Sequence, residues 1–328
     1  MSAMRFFLRA VAVCFGLAAM GAVIFVVCAR AGFLTPSEAS LRAEYALPNS
    51  KFMDIDGEPI HYVDEGSGAP VVLIHGSLGS LLMWDDWVKA LTGHYRVIRF
   101  DRPPGGLSGP DPKDRYDVER EVAIIEGLTT ELGLGKFFLV ATSSGGASGV
   151  TYAARHPEHL EGLVVSNISV GPTAPTPYRY PWILRELRAI DPIFKYWRSR
   201  AEWRLVLDYN IVDHTKITDA LVRQYTDLNN RHIAFVAAQQ SHAPILAVMA
   251  RTPQDLAKIT APALVLWSEN DTEIPPHPAA DDAMKYLASQ DKTQILIPHC
   301  EHMMPLDCGP QSVAAAIPFF DRVSSASP

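Results

Sequence analysis

The stretch Phe137–Val150, FFLVATSSGGASGV, decides how the chain reads. It opens as an unbroken run of Phe, Leu and Val, the pattern of a strand buried on both faces. It closes in small residues where a helix would begin. Two adjacent hydroxyls, Ser143 and Ser144, stand at the change, followed by two glycines. Such a step is either a plain turn or a nucleophile held out for attack, and the runs around it decide which.

Similar runs recur on both sides. PVVLIHG (Pro70–Gly76), HYRVIRFD (His94–Asp101), LEGLVVSN (Leu160–Asn167), ALVLWS (Ala263–Ser268) and TQILIP (Thr293–Pro298) all read as buried strands. KFMDIDGEPIHYVDEG (Lys51–Gly66) reads as two strands joined by a turn at Asp56-Gly57. Helical spacing falls between them, at Leu81–Leu91, Val118–Leu132, Gly145–Arg155, Pro278–Leu287 and Ser312–Phe320. Strand alternating with helix predicts an α/β fold: a mainly parallel sheet with helices on both faces. One segment breaks the rhythm. From Gly171 to Gln254 there is no buried-strand run, and Trp182, Leu184, Leu187, Ile193, Phe194, Tyr196, Trp197 and Trp203 recur at helix-like spacing. The expected organisation is a core over residues 51–170 and 255–328, interrupted by a helical cap over 171–254.

The N-terminus is a separate matter. No charged residue lies between Arg9 and Arg30. As a helix that run would be about 30 Å long, enough to cross a bilayer core. Arg5 and Arg9 precede it, which favours a cytoplasmic N-terminus and a catalytic domain outside the cytoplasm. Residues 1–33 therefore read as a single-pass membrane anchor. The alternative is a signal segment cleaved near Ala29–Ala31. Residues 34–50, with Pro, Ser and mixed charges, read as a linker or a short polar helix. The net charge of −7, with no Lys/Arg run, argues against a nucleic-acid partner. Of the four cysteines, Cys14 and Cys28 lie in the apolar run. Cys300 and Cys308 flank EHMMPLD; two free thiols under the loop is the simpler reading, with a disulfide the alternative an exported domain would allow. No spacing resembles a zinc site.

In an open parallel sheet, ligands bind beyond the carboxyl ends of the strands. The residues placed there are His75–Ser77, Asp101 and Arg102, Ala141–Ser144, Glu269–Asp271, and His299–His302. A serine, an acid and a histidine thus follow in chain order. In these residues the chain resembles the α/β-hydrolase superfamily from about Lys51 onward. ATSSG fits the family's small-x-Ser-x-Gly elbow with Ser143 as nucleophile. Ala141 stands where glycine is usual. The alternative centre, Ser144, would put Thr142 and Gly146 at the small positions and fits less well. WSENDTEIPP (Trp267–Pro276) matches the family's acid segment and points to Asp271. PHCEHMMP (Pro298–Pro305) points to His302 as general base, with Glu301 in place of the usual glycine and His299 as runner-up. HGS at His75–Ser77 resembles the oxyanion loop, and DRPPGGLSG (Asp101–Gly109) matches a further family loop in widened form.

The resemblance implies a Ser143–Asp271–His302 triad, with the backbone N–H groups of Ser77 and Ser144 as oxyanion donors and His75 structural. It implies no metal or cofactor. Members of the superfamily that are dehalogenases or epoxide hydrolases carry Asp at the nucleophile position, and Ser143 argues against both. The expected activity is hydrolysis of a small ester-type substrate, apolar or aromatic, through an acyl-enzyme. Carbon–carbon or lactone hydrolysis on the same triad is the alternative. A membrane-tethered binding protein without activity is the alternative of another class. Oligomeric state is not legible.

Overall fold

The computed structural model describes residues 2–171, 181–195, 197–231, 233 and 242–326. An eight-stranded sheet forms the centre, in the order β1-β2-β4-β3-β5-β6-β7-β8. The antiparallel hairpin β1 (Lys51–Ile55) and β2 (Glu58–Gly66) turns at Asp56 and Gly57, both with positive φ, as the sequence predicts. β2 runs antiparallel to β4 (Tyr95–Phe100). From there the sheet is parallel through β3 (Ala69–Ile74), β5 (Phe137–Thr142), β6 (Leu160–Ser166), β7 (Ala263–Ser268) and β8 (Lys292–Ile297). β5 and β7 are buried at every position, which is why they read as continuous apolar runs and not as alternation.

Helices cover both faces. α1 (Ser2–Arg30) and α2 (Glu38–Tyr45) precede the sheet. α3 (Asp85–Leu91), α4 (Val118–Glu131) and α5 (Gly145–Arg155) follow strands β3, β4 and β5. α6 (Trp182–Ile190), α7 (Arg200–Asn210), α8 (Asp219–Asn229) and α9 (His242–Leu256) lie between β6 and β7, with no strand among the described residues of that stretch. α10 (Pro276–Tyr286) follows β7, and α11 (Met304–Asp307) and α12 (Gly309–Ala326) close the chain after β8. One face of the sheet packs Ile74, Phe137, Leu139 and Val165 against α4 and α5. The other packs Leu73, Phe138, Val140 and Leu264 against α3 and α12, through Trp84, Trp87 and Phe320. Tyr196 lies outside the described residues.

Residues 34–50 hold the short helix and not an extended linker. Ser37 caps α2 by accepting from the Ser40 N–H, and Leu41 is buried against Leu107 and Leu228. α1 is long and apolar enough over Met4–Arg30 to cross a membrane, and that window is unburied. A membrane anchor and a signal sequence share these features.

Candidate active site

The elbow lies at the carboxyl end of β5. Ser143 has φ 52°, a left-handed conformation that a non-glycine residue adopts only under constraint. The constraint is visible: the Ser143 N–H donates to Ser166 O at 2.9 Å, and Ser143 O accepts from the Gly146 N–H at 2.9 Å. The chain turns so tightly that a Cβ on Gly145 would lie 2.5 Å from His75 O. One on Gly76 would lie 2.8 Å from Ser143 Cβ. These are the close approaches that make small residues obligatory. Alanine is tolerated at position 141 because its methyl faces Gly149, where a Cβ would come within 2.6 Å of it.

Ser143 Oγ is 2.8 Å from His302 Nε2. His302 Nδ1 is 2.8 Å from Asp271 Oδ2. The other oxygen, Asp271 Oδ1, accepts from the N–H groups of Glu273 (2.9 Å) and Ile274 (2.7 Å), which fixes the carboxylate. The three residues expected from the sequence are thus joined in one hydrogen-bonded line. His299 is not part of it: it lies exposed in the turn after β8, with φ 53°. His75 is buried; burial holds it down at about 4 and therefore neutral. Its Nε2 accepts from the Arg102 N–H at 2.8 Å.

Several neighbours of this line are given no role by the sequence. Asn167, at the end of β6, donates to Ser268 Oγ at 2.8 Å and to His302 O at 3.3 Å, tying three strand ends together. Glu301 Oε2 accepts from the His302 N–H at 2.9 Å and from Thr272 N–H at 3.1 Å, so the residue in the usual glycine place fastens the two loops. Glu273 Oε1 lies 3.9 Å from His302 Nε2, on the side facing Ser143. Burial alone would lower the His302 pKa. The carboxylates of Asp271, Glu273 and Glu301 outweigh it and push the imidazole up to about 9.

Cys300 and Cys308 are joined as a disulfide, with Cα atoms 5.8 Å apart. The reading of two free thiols is therefore replaced. The single turn of α11 folds the chain back between them, which brings the Cα atoms into disulfide range and decides for the alternative.

A second network stands beside the elbow. Arg102 Nη1 pairs with Glu121 at 2.6 Å, and Nη2 donates to Ser144 Oγ at 2.7 Å. The Ser144 and Ser77 hydroxyls are 2.7 Å apart. A guanidinium only donates, so Ser144 Oγ must accept from it. Whichever hydroxyl donates to the other, the pair keeps one O–H that this line of bonds does not use. Among the described residues, neither the Ser77 nor the Ser144 N–H meets a protein acceptor.

Three potential metal ligands, His156, Glu158 and His159, gather after α5, at its end away from Ser143, with ligand atoms within 4.8 Å of one another. The two imidazoles are stacked, 8° from parallel with centroids 5.2 Å apart, so their in-plane lone pairs do not converge on one ion.

The fold and these strand-end residues define an α/β hydrolase. A model of the alpha/beta hydrolase family matches residues 71–316, and the chain belongs to that family. It is 30% identical over 221 residues to the 2-hydroxy-6-oxo-2,4-heptadienoate hydrolase of Pseudomonas putida, spanning 65% of this chain and 75% of that one. It is 26% identical over 280 residues to the 2-hydroxy-6-oxo-6-(2'-aminophenyl)hexa-2,4-dienoic acid hydrolase of Metapseudomonas resinovorans, spanning 83% and 91% of the two. Among solved structures, a membrane phospholipase A shares the fold with a TM-score of 0.69 at 21% identity, over 97% of this chain and 99% of its own.

Proposed function

We propose that this protein is a serine hydrolase that cleaves a carboxylic ester through an acyl-enzyme. The observation that carries the reading is the line Ser143–His302–Asp271, bonded at 2.8 Å at both steps, with Ser143 held at φ 52°. His302 takes the proton from Ser143 as it attacks the carbonyl carbon, and Asp271 stabilises the imidazolium. The N–H groups of Ser77 and Ser144 receive the developing oxyanion, helped by the spare hydroxyl between them. Collapse expels the alcohol, protonated by His302. Water then attacks the acyl-enzyme with the same base.

The helices between β6 and β7 act as a cap in this reading. Met303, beside His302, packs among Leu184, Trp203, Leu207 and Tyr225, and Asn229 donates to Leu78 O at 3.0 Å. An apolar or aromatic acyl group suits such a cover. The relatives' names favour a second reading, carbon–carbon hydrolysis of a dienoate. The charges near the site favour the ester. A dienoate carries a carboxylate, whereas Asp271, Glu273 and Glu301 surround His302, and Arg102, a cation beside the site among the described residues, is already paired with Glu121. The decisive experiment is fluorophosphonate labelling followed by a panel of graded acyl esters and one 2-hydroxy-6-oxo-dienoate. Labelling with ester turnover supports the proposal. Turnover of the dienoate alone moves the protein to the second reading, and no labelling removes the nucleophile.

Two further outcomes follow from the site. His302 must be neutral to act as base, so kcat/KM should rise with pH along a limb displaced alkaline of an ordinary histidine, toward about 9. Removing the Glu273 charge with Glu273→Gln should move that limb to lower pH. A limb in the usual histidine range, unmoved by Glu273→Gln, contradicts the arrangement. The second outcome concerns the hydroxyl pair. The sequence alone leads one to expect that Ser144→Ala keeps substantial activity, since its part is a backbone N–H. The bond from Arg102 changes this: Ser77→Ala and Ser144→Ala should each lower kcat by about tenfold with KM little changed. Unchanged kcat in Ser77→Ala would exclude the hydroxyl from the oxyanion site.

A further inference from the structure

We infer that the segment Trp182–Phe194 is a second membrane-contacting element, immersed at the lipid headgroup–acyl boundary beside α1. The inference rests on α1 being a retained anchor. Three observations carry it. The first is exposed apolar surface. Trp182 is 70% exposed, Ile183 39%, Ile190 41% and Ile193 50%, on a helix and the 3-10 turn that follows it. Phe33, just past the end of α1, is 79% exposed.

The second is depth. The Phe25 ring meets Phe194 edge-on at 6.0 Å and Trp197 at 5.4 Å. Phe25 lies four residues inside Ala29, the outer end of the uncharged run, which is about 6 Å along a helix. If that run fills the hydrocarbon core, its partners sit near the outer edge of the core. A soluble domain held above the membrane could not reach Phe25. The exposed residues of the same turn, Ile193 above all, must then face acyl chains or the boundary just above them.

The third is rigidity. Arg30 donates to the carbonyls of Pro192 and Ile193, both at 3.1 Å, and so meets two backbone acceptors that this depth would otherwise strip of water. Beyond α1, Thr35 Oγ1 donates to Asn230 O at 3.1 Å and Glu38 pairs with Arg231 at 2.8 Å. The domain is therefore not on a loose tether, and its depth follows that of α1. Lipid is the occupant that fits, because the exposed apolar surface adjoins the one helix among the described residues that is long and apolar enough to cross a bilayer.

The test uses the full chain in phosphatidylcholine–phosphatidylglycerol vesicles, with Cys14→Ala and Cys28→Ala as background. Single cysteines are introduced by Ile193→Cys and Lys136→Cys, and native Cys14 is kept alone in a third sample. Each is labelled with a nitrobenzoxadiazole fluorophore. Ile193 is half exposed and Lys136 exposed, so neither label displaces a packed group. The expected result is strong quenching by acyl-chain doxyl lipid and protection from iodide at positions 14 and 193. Position 136, at the opposite end of the sheet strands, should show the reverse. Quenching at 14 with a water-exposed 193 overturns the inference and leaves the anchor standing. Water exposure at both overturns the inference together with the anchor.

Discussion

Ser143→Ala is expected to abolish fluorophosphonate labelling and to lower ester turnover by on the order of a millionfold, to the residue that binding and oxyanion donors supply. The change should leave the fold intact. The bonds that hold the elbow, Ser143 N–H to Ser166 O and Gly146 N–H to Ser143 O, are backbone bonds that alanine keeps. The left-handed backbone at this position is already present and is not made worse by removing a hydroxyl. Thermal unfolding of the variant should therefore match the parent within a few degrees, about the shift of 1 kcal/mol in a protein of this size. An inactive Ser144→Ala beside an active Ser143→Ala would mean the elbow is centred one residue later, on Ser144.

Asp271→Asn should cost on the order of 10⁴ in kcat through the tautomer of His302. Asp271 Oδ1 accepts two N–H groups, from Glu273 and Ile274, and only an oxygen can do so. An asparagine must keep its oxygen there and turn its NH₂ to His302 Nδ1. That nitrogen then accepts, and the proton sits on Nε2, opposite Ser143. The base has lost the lone pair it needs while every atom stays in place. Turnover that survives Asp271→Asn would assign the orienting role to another group, with Glu273 the first to examine.

The framework was legible because it rests on local patterns. Strands β5 and β7 announce themselves as apolar runs since both faces are covered. The hairpin shows in Asp56-Gly57, and α5 begins at Gly145 where the small residues begin. Ser143, Asp271 and His302 each follow such a run, and the resemblance to the α/β-hydrolase motifs singled them out there as candidates. What surrounds them was not legible in this way. Glu301 was visible as a departure from the usual glycine, but its bonds, like the contacts of Glu273 and Asn167, join separate strand ends and could not be read from neighbours in the chain. Arg102 stands at a strand end, yet its link to Ser144 depends on Glu121 in α4, which holds the guanidinium from the other side. The choice between free thiols and a disulfide stayed open for a related reason: whether two thiols meet depends on how the chain between them turns.

The contact between Arg30 and the carbonyls near residue 192 spans 162 positions of the chain. Translation delivers α1 first and its partner about half the sequence later. A helix that enters the bilayer as it emerges must wait there unpaired while the strands after it find their order. Loop closure over such a distance is slow relative to local helix formation. On the reading of α1 as a retained anchor, the seam between it and the domain is a late docking of two finished parts, made in the plane of the membrane. The young chain is, on that same reading, a tethered, swivelling domain, and its pose is fixed when Arg30, Thr35 and Glu38 meet their partners.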